Sequence, residues 1–269
     1  MTPEGHVGAH PDGDFPYWLV AAVALAIVAA VSIAVSGLYA QIFATVGAGV
    51  WITVSVTLFG FTFACALGLL LAVMQLSGSL VARQAARFYI EIMRGIPALV
   101  LLLYVAFVGA PAIVAAGNWA FGWALDEPLR IRDFPLAWRA SLALMLAYSP
   151  FIAEVFRAGI QSVDSGQQEA AKALGLRPWH RFRHIVMPQA IRTIAPPLGN
   201  DFIAMVKDSS LVSVLGVADI TQMGKVYAAG SFRYFETYNV VAFVYLLLTV
   251  SLSLGLRALE RRMRQKGAA

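Results

Sequence analysis

The sequence predicts an all-α membrane protein, a polytopic bundle of about six transmembrane helices. Of its 269 residues, 59% are hydrophobic and only 13% are charged, whereas about 25% of the residues in a soluble domain are charged. Three long stretches contain no charged residue at all: 15–82, 95–125 and 237–256. Because a spanning helix needs about 20 apolar residues, the first stretch has room for two spans and each of the others for one.

Adding two less apolar segments gives six predicted spans, near residues 18–36, 48–76, 92–115, 140–160, 194–218 and 238–256. The first segment lacks a basic region before it and is long for the apolar part of a signal peptide, so we interpret it as a retained span. Cys65 is the only cysteine and lies in the second span. No intramolecular disulfide is therefore expected.

The basic residues divide unequally between the two sides of the predicted membrane. Fourteen of the 20 lysines and arginines fall on one side, five fall on the other, and Lys207 lies within a span. Positive residues stay on the cytoplasmic side, so both termini and the loop at about 161–192 are predicted to be cytoplasmic. The net charge of +5 is explained by these lysines and arginines on the cytoplasmic side of the membrane. No nucleic-acid partner is therefore expected.

Small residues recur every four positions in the second span, at Gly60, Ala64, Gly68 and Ala72. Helices in lipid approach closely over such positions, because lipid supplies no hydrophobic drive for their association. This pattern predicts a helix–helix contact.

Breaks and pairs are predicted around the third and fourth spans. Gly95 and Pro97 should weaken or kink the helix that enters the third span, and Pro150 should kink the fourth. Glu91 and Arg94 are three residues apart, a spacing that allows an ion pair on a helix.

A charged segment, Glu169–Pro188, interrupts the apolar sequence between the fourth and fifth spans. Ser165 and Gln168 fit the two polar positions of a capping box, so residues 167–174 are predicted to form a two-turn helix. Gly175 suits the left-handed residue that follows such a helix.

A second short helix is predicted after this glycine. Pro178 suits its first turn, where a missing N–H costs nothing, and Pro188 is predicted to end it. Taken alone, these residues leave two interpretations open. The hairpin could lie on the membrane surface as a basic amphipathic element, or it could bind a partner protein.

The spacing in this loop resembles the EAA loop of ATP-binding-cassette importer permeases. The shared pattern is Glu169-Ala170-Ala171, three residues, Gly175, nine residues, Ile185, one residue and Met187-Pro188. Met187 stands where the family usually has leucine. The resemblance implies that Glu169, Ala170, Ala171, Gly175 and Pro188 couple the chain to a separate ATPase subunit.

Three further segments resemble the polar amino-acid uptake branch of that family: Ile152–Val163, Pro196–Val217 and Tyr89–Pro97. Departures from the family occur at Ile96, which replaces threonine, and at 149–151, where Ser-Pro-Phe replaces an SGAY-like run. The match runs from about Gly47 to Arg264. It implies a five-helix permease core within residues 41–269, preceded by a tail and an extra span in residues 1–40.

The resemblance also implies function and partners. Such a subunit of the bacterial inner membrane moves polar amino acids, or similar small zwitterions, from a periplasmic solute-binding protein into the cytoplasm. It pairs with a second permease, identical or different. The chain contains no G-x-x-x-x-G-K-[ST] phosphate loop, so ATP is expected on the partner, and neither a cofactor nor a catalytic residue is expected here. Metal binding by His180 and His184 is not expected, because arginines surround them.

Ionisable groups at membrane depth are costly and tend to mark substrate paths. Glu154, Asp201, Lys207 and Asp208 are such groups, and with Asn200 they form the candidate substrate pathway. A second interpretation is that Lys207 pairs with a carboxylate and stabilises helix packing.

The fifth span is predicted to break and restart near Asp208, because Asp208, Ser209 and Ser210 are all good N-cap residues. A broken helix at this depth exposes backbone groups that can hold a zwitterion, provided that they line a cavity.

Three other functions remain open at this point. A secondary transporter driven by an ion gradient would use Glu154 or Asp201 as the titrating group, and often consists of two related halves, which the sequence does not show. An intramembrane enzyme lacks its motifs, since no HExxH or G-x-S-x-G occurs. A non-transporting scaffold would tolerate changes at Gly175.

Overall fold

A computed structural model describes residues 17–124 and 127–265, and these residues form helices and turns with no strand among them. The helices are α1 (Tyr17–Val35), α2 (Gly37–Gly47), α3 (Val50–Leu76), α4 (Leu80–Gly95), α5 (Ala98–Tyr104), α6 (Ala110–Phe121), α7 (Leu136–Gln161), α8 (Ser165–Ala173), α9 (Pro178–Arg181), α10 (Met187–Asp208), α11 (Ile220–Ser231) and α12 (Tyr234–Gln265). The all-α prediction is confirmed. The acidic tail, Asp126 and Lys266 lie outside the described residues.

Four helical segments are long and apolar enough to cross a membrane: Gly37–Leu76, Ala98–Ala124, Leu136–Gln161 and Tyr234–Arg261. They correspond to four of the six predicted spans, and α1 contributes a shorter apolar helix, Val23–Val35. The boundaries predicted for the fifth span were wrong, because α10 already begins at Met187 and ends at Asp208.

The centre of the bundle is the contact between α3 and α7. Ala64 and Ala72 are fully buried, and a Cβ added at Gly68 would lie 2.7 Å from Cγ2 of Ile152 and 3.1 Å from the backbone N of Ala153. The Ser141 hydroxyl lies between two carbonyl acceptors, 3.2 Å from that of Val56 across the same contact and 3.0 Å from that of Ala137 in its own helix. The predicted packing over small residues is confirmed.

The helix entering the third span is interrupted, as predicted. α4 ends at Gly95 and α5 begins at Ala98, with Pro97 as its N-cap residue. The predicted Glu91–Arg94 ion pair was wrong, since no such pair occurs in the described part of the chain. The Arg94 guanidinium instead lies 5.1 Å from the centre of the Phe151 ring, where its charge interacts with the ring face.

The region after α10 contains the predicted break, but the helix restarts later than predicted. A 3-10 segment follows α10 over Ser209–Leu215, and Gly216 is left-handed with φ +80°. α11 then begins at Ile220. Asp219 is its N-cap residue, accepting from the backbone N of Thr221 and Gln222 at 3.1 and 2.9 Å.

Asp219, and not Ser209 or Ser210, is the N-cap residue of the restarted helix. It is fully buried and is held in place by a hydrogen bond from another helix. The Tyr245 hydroxyl of α12 donates to Oδ2 of Asp219 at 3.1 Å. The turn also lies directly against Gly49, where an added Cβ would be 2.5 Å from the Asp219 carbonyl carbon.

Phe232 ends α11 in a left-handed conformation, with φ 60°, and its side chain is 82% exposed. A side chain with a Cβ pays about 1–2 kcal/mol for this conformation, which asparagine adopts more readily. We expect Phe232→Asn to raise the melting temperature of the purified protein. Phe235→Asn, at an exposed helical position, is the control and should not. An unchanged melting temperature in Phe232→Asn would contradict the assigned strain.

Candidate functional site

The loop between α7 and α10, which the sequence predicts to be cytoplasmic, folds as a helical hairpin. Its first helix, α8, begins at Ser165 and is capped by Asp164, whose Oδ1 accepts from the backbone N of Gln167 at 3.1 Å. The prediction of Ser165 as the N-cap residue was therefore wrong by one position. Both side chains can cap a helix, and the adjacent Asp164 takes the position.

Gly175 ends α8 in the left-handed conformation that the sequence predicts, with φ +75°. The backbone N–H of Gly175 donates to Lys172, and that of Leu176 donates to Ala171, at 3.0 and 3.1 Å. These two bonds form a Schellman motif, which satisfies the last carbonyls of the helix. The turn is thus fixed by its own backbone.

The second helix of the hairpin runs directly into the fifth span. α9 begins at Pro178, as predicted, and continues through a π turn, Phe182–Val186, into α10. Pro188 therefore does not end the helix, and that prediction was wrong. A proline lacks an N–H and crowds the carbonyl four residues before it, and the wider π turn lies at this point.

The five predicted coupling residues differ in exposure. Glu169, Ala170, Gly175 and Pro188 are exposed, whereas Ala171 is only 3% exposed. Two large apolar side chains next to them also face outward, Leu174 at 81% and Trp179 at 63% exposure. The hairpin therefore offers a small apolar surface next to Glu169, and Ala171 packs within the chain.

Glu154 lies in the C-terminal third of α7 and is bound by residues of its own helix. Its Oε2 accepts from Nε of Arg157 at 3.0 Å and forms a salt bridge with the same guanidinium. Arg157 also donates to Oε1 of Gln161 at 2.6 Å. These contacts all lie within α7, whereas the other candidate pathway residues lie on α10.

Asp201 and Asp208 lie on α10 and differ in their partners. Oδ2 of Asp208 accepts from the Tyr148 hydroxyl of α7 at 2.8 Å. Oδ2 of Asp201 is buried and makes no hydrogen bond within the described residues. The adjacent Phe202 packs edge-on against Phe61 of α3, with ring centres 5.0 Å apart, so Asp201 lies where α10 meets α3.

Lys207 is exposed and makes no salt bridge with any residue in 17–124 or 127–265. The alternative in which Lys207 pairs with a carboxylate of this chain is therefore wrong for the described residues. Asn200 and Asp208 are exposed as well. A polar side of α10 is thus left uncovered by the chain itself.

Two residues of this region were missed in the sequence. Tyr148 lies in an apolar run, where an aromatic residue is indistinguishable from core packing. Asp219 could have been found, because Asp219 and Gln222 have the spacing of a capping box.

These features define a class of protein: a polytopic membrane subunit with a rigid helical hairpin between two of its helices and charged groups along them. The family described as "Binding-protein-dependent transport system inner membrane component" matches residues 64–265. The chain belongs to this family and is a transport subunit rather than an enzyme.

Curated relatives and a solved structure agree with this assignment. The chain is 36% identical to the glutamine transport system permease protein GlnP of Escherichia coli strain K12, over 80% of this chain and 91% of the relative. It is 35% identical to the probable amino-acid permease protein YxeN of Bacillus subtilis strain 168, over 79% and 88%. The crystal structure of an amino acid ABC transporter with histidines is similar, with a TM-score of 0.66 and 32% identity over 93% of this chain and 99% of that chain.

Proposed function

We propose that this protein is the membrane-spanning subunit of an ATP-binding-cassette importer for polar amino acids. It takes the solute from a binding protein outside the membrane and releases it into the cytoplasm by alternating access, while a separate subunit hydrolyses ATP. Both termini and the hairpin face the cytoplasm, as the distribution of lysine and arginine favours. The observation that carries the proposal is the rigid, outward-facing hairpin between α7 and α10.

The hairpin suits force transfer because it is stiff and accessible. The Schellman motif at Gly175 fixes its turn, and Leu174 and Trp179 expose apolar surface that a partner can bury. Burial of such surface yields about 25 cal/mol per Å². Glu169 and Ala170 are exposed beside this apolar surface. An ATPase subunit that binds the hairpin here would therefore move α7 and α10 together.

The uncovered side of α10 favours a second permease subunit. Lys207 and Asp208 are exposed in the single chain, yet charged groups at membrane depth face protein or water and avoid lipid. A second copy, or a related chain, that packs on this side would enclose a polar pathway lined by Asn200, Lys207 and Asp208. A second copy of this chain and a related permease chain would cover these charged groups equally well.

The charges of α10 fit an amino acid. Asp201 has a buried carboxylate oxygen with no partner in the described residues, and a solute ammonium would supply the missing donor. Lys207 is free of salt bridges in the same residues and could attract a solute carboxylate. The relatives named for glutamine and amino acids support the same solute class.

Reconstitution tests the proposed function. The chain would be co-expressed with the ATPase subunit and the solute-binding protein encoded beside it, and the purified complex placed in proteoliposomes. We expect amino-acid-loaded binding protein to stimulate ATP hydrolysis and ATP to drive uptake of labelled amino acid. Uptake that needs an ion gradient and no ATPase subunit would instead identify a secondary transporter.

Asp201→Asn tests the solute contact within that assay. Loss of the carboxylate charge should weaken binding of the solute ammonium by about tenfold, the effect expected for one hydrogen bond to a charged group. The concentration dependence of uptake measures this change. Asp133→Asn, in the exposed outer loop, is the control. Equal uptake curves for wild type and Asp201→Asn would remove Asp201 from the pathway.

A further inference from the structure

Pro150 leaves a carbonyl without its helical donor in the middle of α7. The helix continues without interruption from Leu136 to Gln161, so each backbone N–H should bond to the carbonyl four residues earlier. Proline has no N–H, and the carbonyl that loses its partner is that of Leu146. Ser149 and Pro150 are buried, and an unpaired polar group in such a place is costly.

Two hydroxyl groups replace the missing donor. The Tyr89 hydroxyl of α4 lies 3.3 Å from the Leu146 carbonyl oxygen, and the Ser149 hydroxyl lies 3.2 Å from it. The two hydroxyl oxygens are 2.8 Å apart. Two protons serve three short contacts, so one hydroxyl donates to the carbonyl while the other donates to its neighbour. In either arrangement the Tyr89 hydroxyl of α4 belongs to the pair that satisfies the Leu146 carbonyl, as the donor to that carbonyl or as the partner of the Ser149 hydroxyl that donates to it.

A second contact joins the same two helices directly beside the proline. The Arg94 guanidinium of α4 lies over the Phe151 ring, so α4 contacts α7 through the residues on both sides of Pro150. A serine can bond to its own helix at this spacing wherever it occurs. The tyrosine contact is different, because it crosses 60 residues of sequence and links two separate helices.

The position of this contact gives it mechanical importance. On the C-terminal side of Pro150, α7 carries Ile152 and Ala153, which pack on Gly68 of α3. It ends at Gln161, and the coupling hairpin begins with Ser165. Any bend at Pro150 therefore changes the angle at which the hairpin leaves the membrane.

We propose that Tyr89 is a positioning residue for transport, whose hydroxyl, together with that of Ser149, holds α7 in one geometry at Pro150 by closing the hydrogen-bond gap at Leu146. α4 thereby sets the direction of the coupling hairpin. This inference rests on the proposed importer function, because it assigns the Pro150 segment of α7 a part in coupling ATP hydrolysis to uptake.

A double-mutant cycle with Pro150→Ala provides the test. Alanine restores an N–H at position 150, which bonds to the Leu146 carbonyl and makes the hydroxyls redundant there. Tyr89→Phe removes one oxygen atom and keeps the ring. In the Pro150 background we expect it to lower the melting temperature by about 2–4 °C and uptake per ATP hydrolysed by about two- to tenfold. In the Pro150→Ala background both effects should be clearly smaller, because Tyr89→Phe then removes only the contact with the Ser149 hydroxyl.

Tyr104→Phe is the matched control, because the Tyr104 side chain is 60% exposed. It should leave both quantities unchanged. If Pro150→Ala fails to fold, Pro150→Ser restores the same N–H and completes the cycle. An equal effect of Tyr89→Phe in both backgrounds, or no effect in either, would overturn the inference. An inactive wild-type complex would count against the importer itself, while the melting temperatures would still report the hydrogen bond.

Discussion

Gly68→Leu is expected to prevent the bundle from assembling. The Cβ alone would lie 2.7 Å from Cγ2 of Ile152 and 3.1 Å from the backbone N of Ala153, and the rest of the leucine has no space between α3 and α7. Overpacking a well-packed core costs about 1–3 kcal/mol even where side chains can shift, and here part of the obstacle is backbone. We expect a loss of folded protein, measured by size-exclusion chromatography and thermal unfolding in detergent.

The matched control is Gly255→Leu, in α12. Nothing lies within 4 Å of a Cβ added at this position, and the residue is exposed toward the surroundings of the bundle. The same glycine-to-leucine change should leave folding intact there. If Gly68→Leu behaved like this control, the close contact between α3 and α7 would be wrong.

Gly175→Leu is expected to abolish ATP-driven uptake while leaving the protein folded. No atom lies within 4 Å of a Cβ added at Gly175, so the chain alone can accommodate a side chain. The left-handed conformation adds about 1–2 kcal/mol of strain, which would distort the turn of the hairpin. In the proposed complex a leucine would also protrude into the surface that meets the ATPase subunit.

Gly175→Asn separates these two causes. Asparagine adopts the left-handed conformation readily, so the turn is retained while a side chain is still added. We expect uptake in the order wild type, Gly175→Asn, Gly175→Leu, with a melting temperature near that of wild type for Gly175→Asn and lowered by only about 2–8 °C for Gly175→Leu. Uptake in proteoliposomes and stimulated ATP hydrolysis provide the measurement. Wild-type uptake by Gly175→Leu would contradict a coupling role and favour a scaffold.

The elements that sequence predicted well are those governed by local chemistry. Charge-free stretches located most of the spans, because lipid excludes charge over a fixed thickness. The left-handed Gly175 and the packing of Gly68 followed from residue size alone. The end of the membrane helix at Asp208 could also be predicted from the sequence, because good capping residues cluster there.

The features that were missed or mispredicted depend on the surrounding fold or on a local irregularity of the helix. Asp219 restarts the helix because Tyr245 and Gly49 are placed around it by the fold, and no local pattern places them. Pro188 lies inside a helix because a π turn accommodates it, although a proline ordinarily marks an end. Tyr89 gains its role only when α4 lies beside the proline of α7.

The uninterrupted helix from Pro178 to Asp208 has a consequence for the size of the motion. Its 31 residues span roughly 45 Å at about 1.5 Å per residue, so in the proposed complex it would act as a lever arm that reaches from the ATPase subunit to the charged end of α10. A tilt of about 10° around its midpoint would displace each end by roughly 4 Å, by the same geometry. A shift of that size would be enough to open or close a passage for a small solute, and the 3-10 segment that follows Asp208 would absorb the movement.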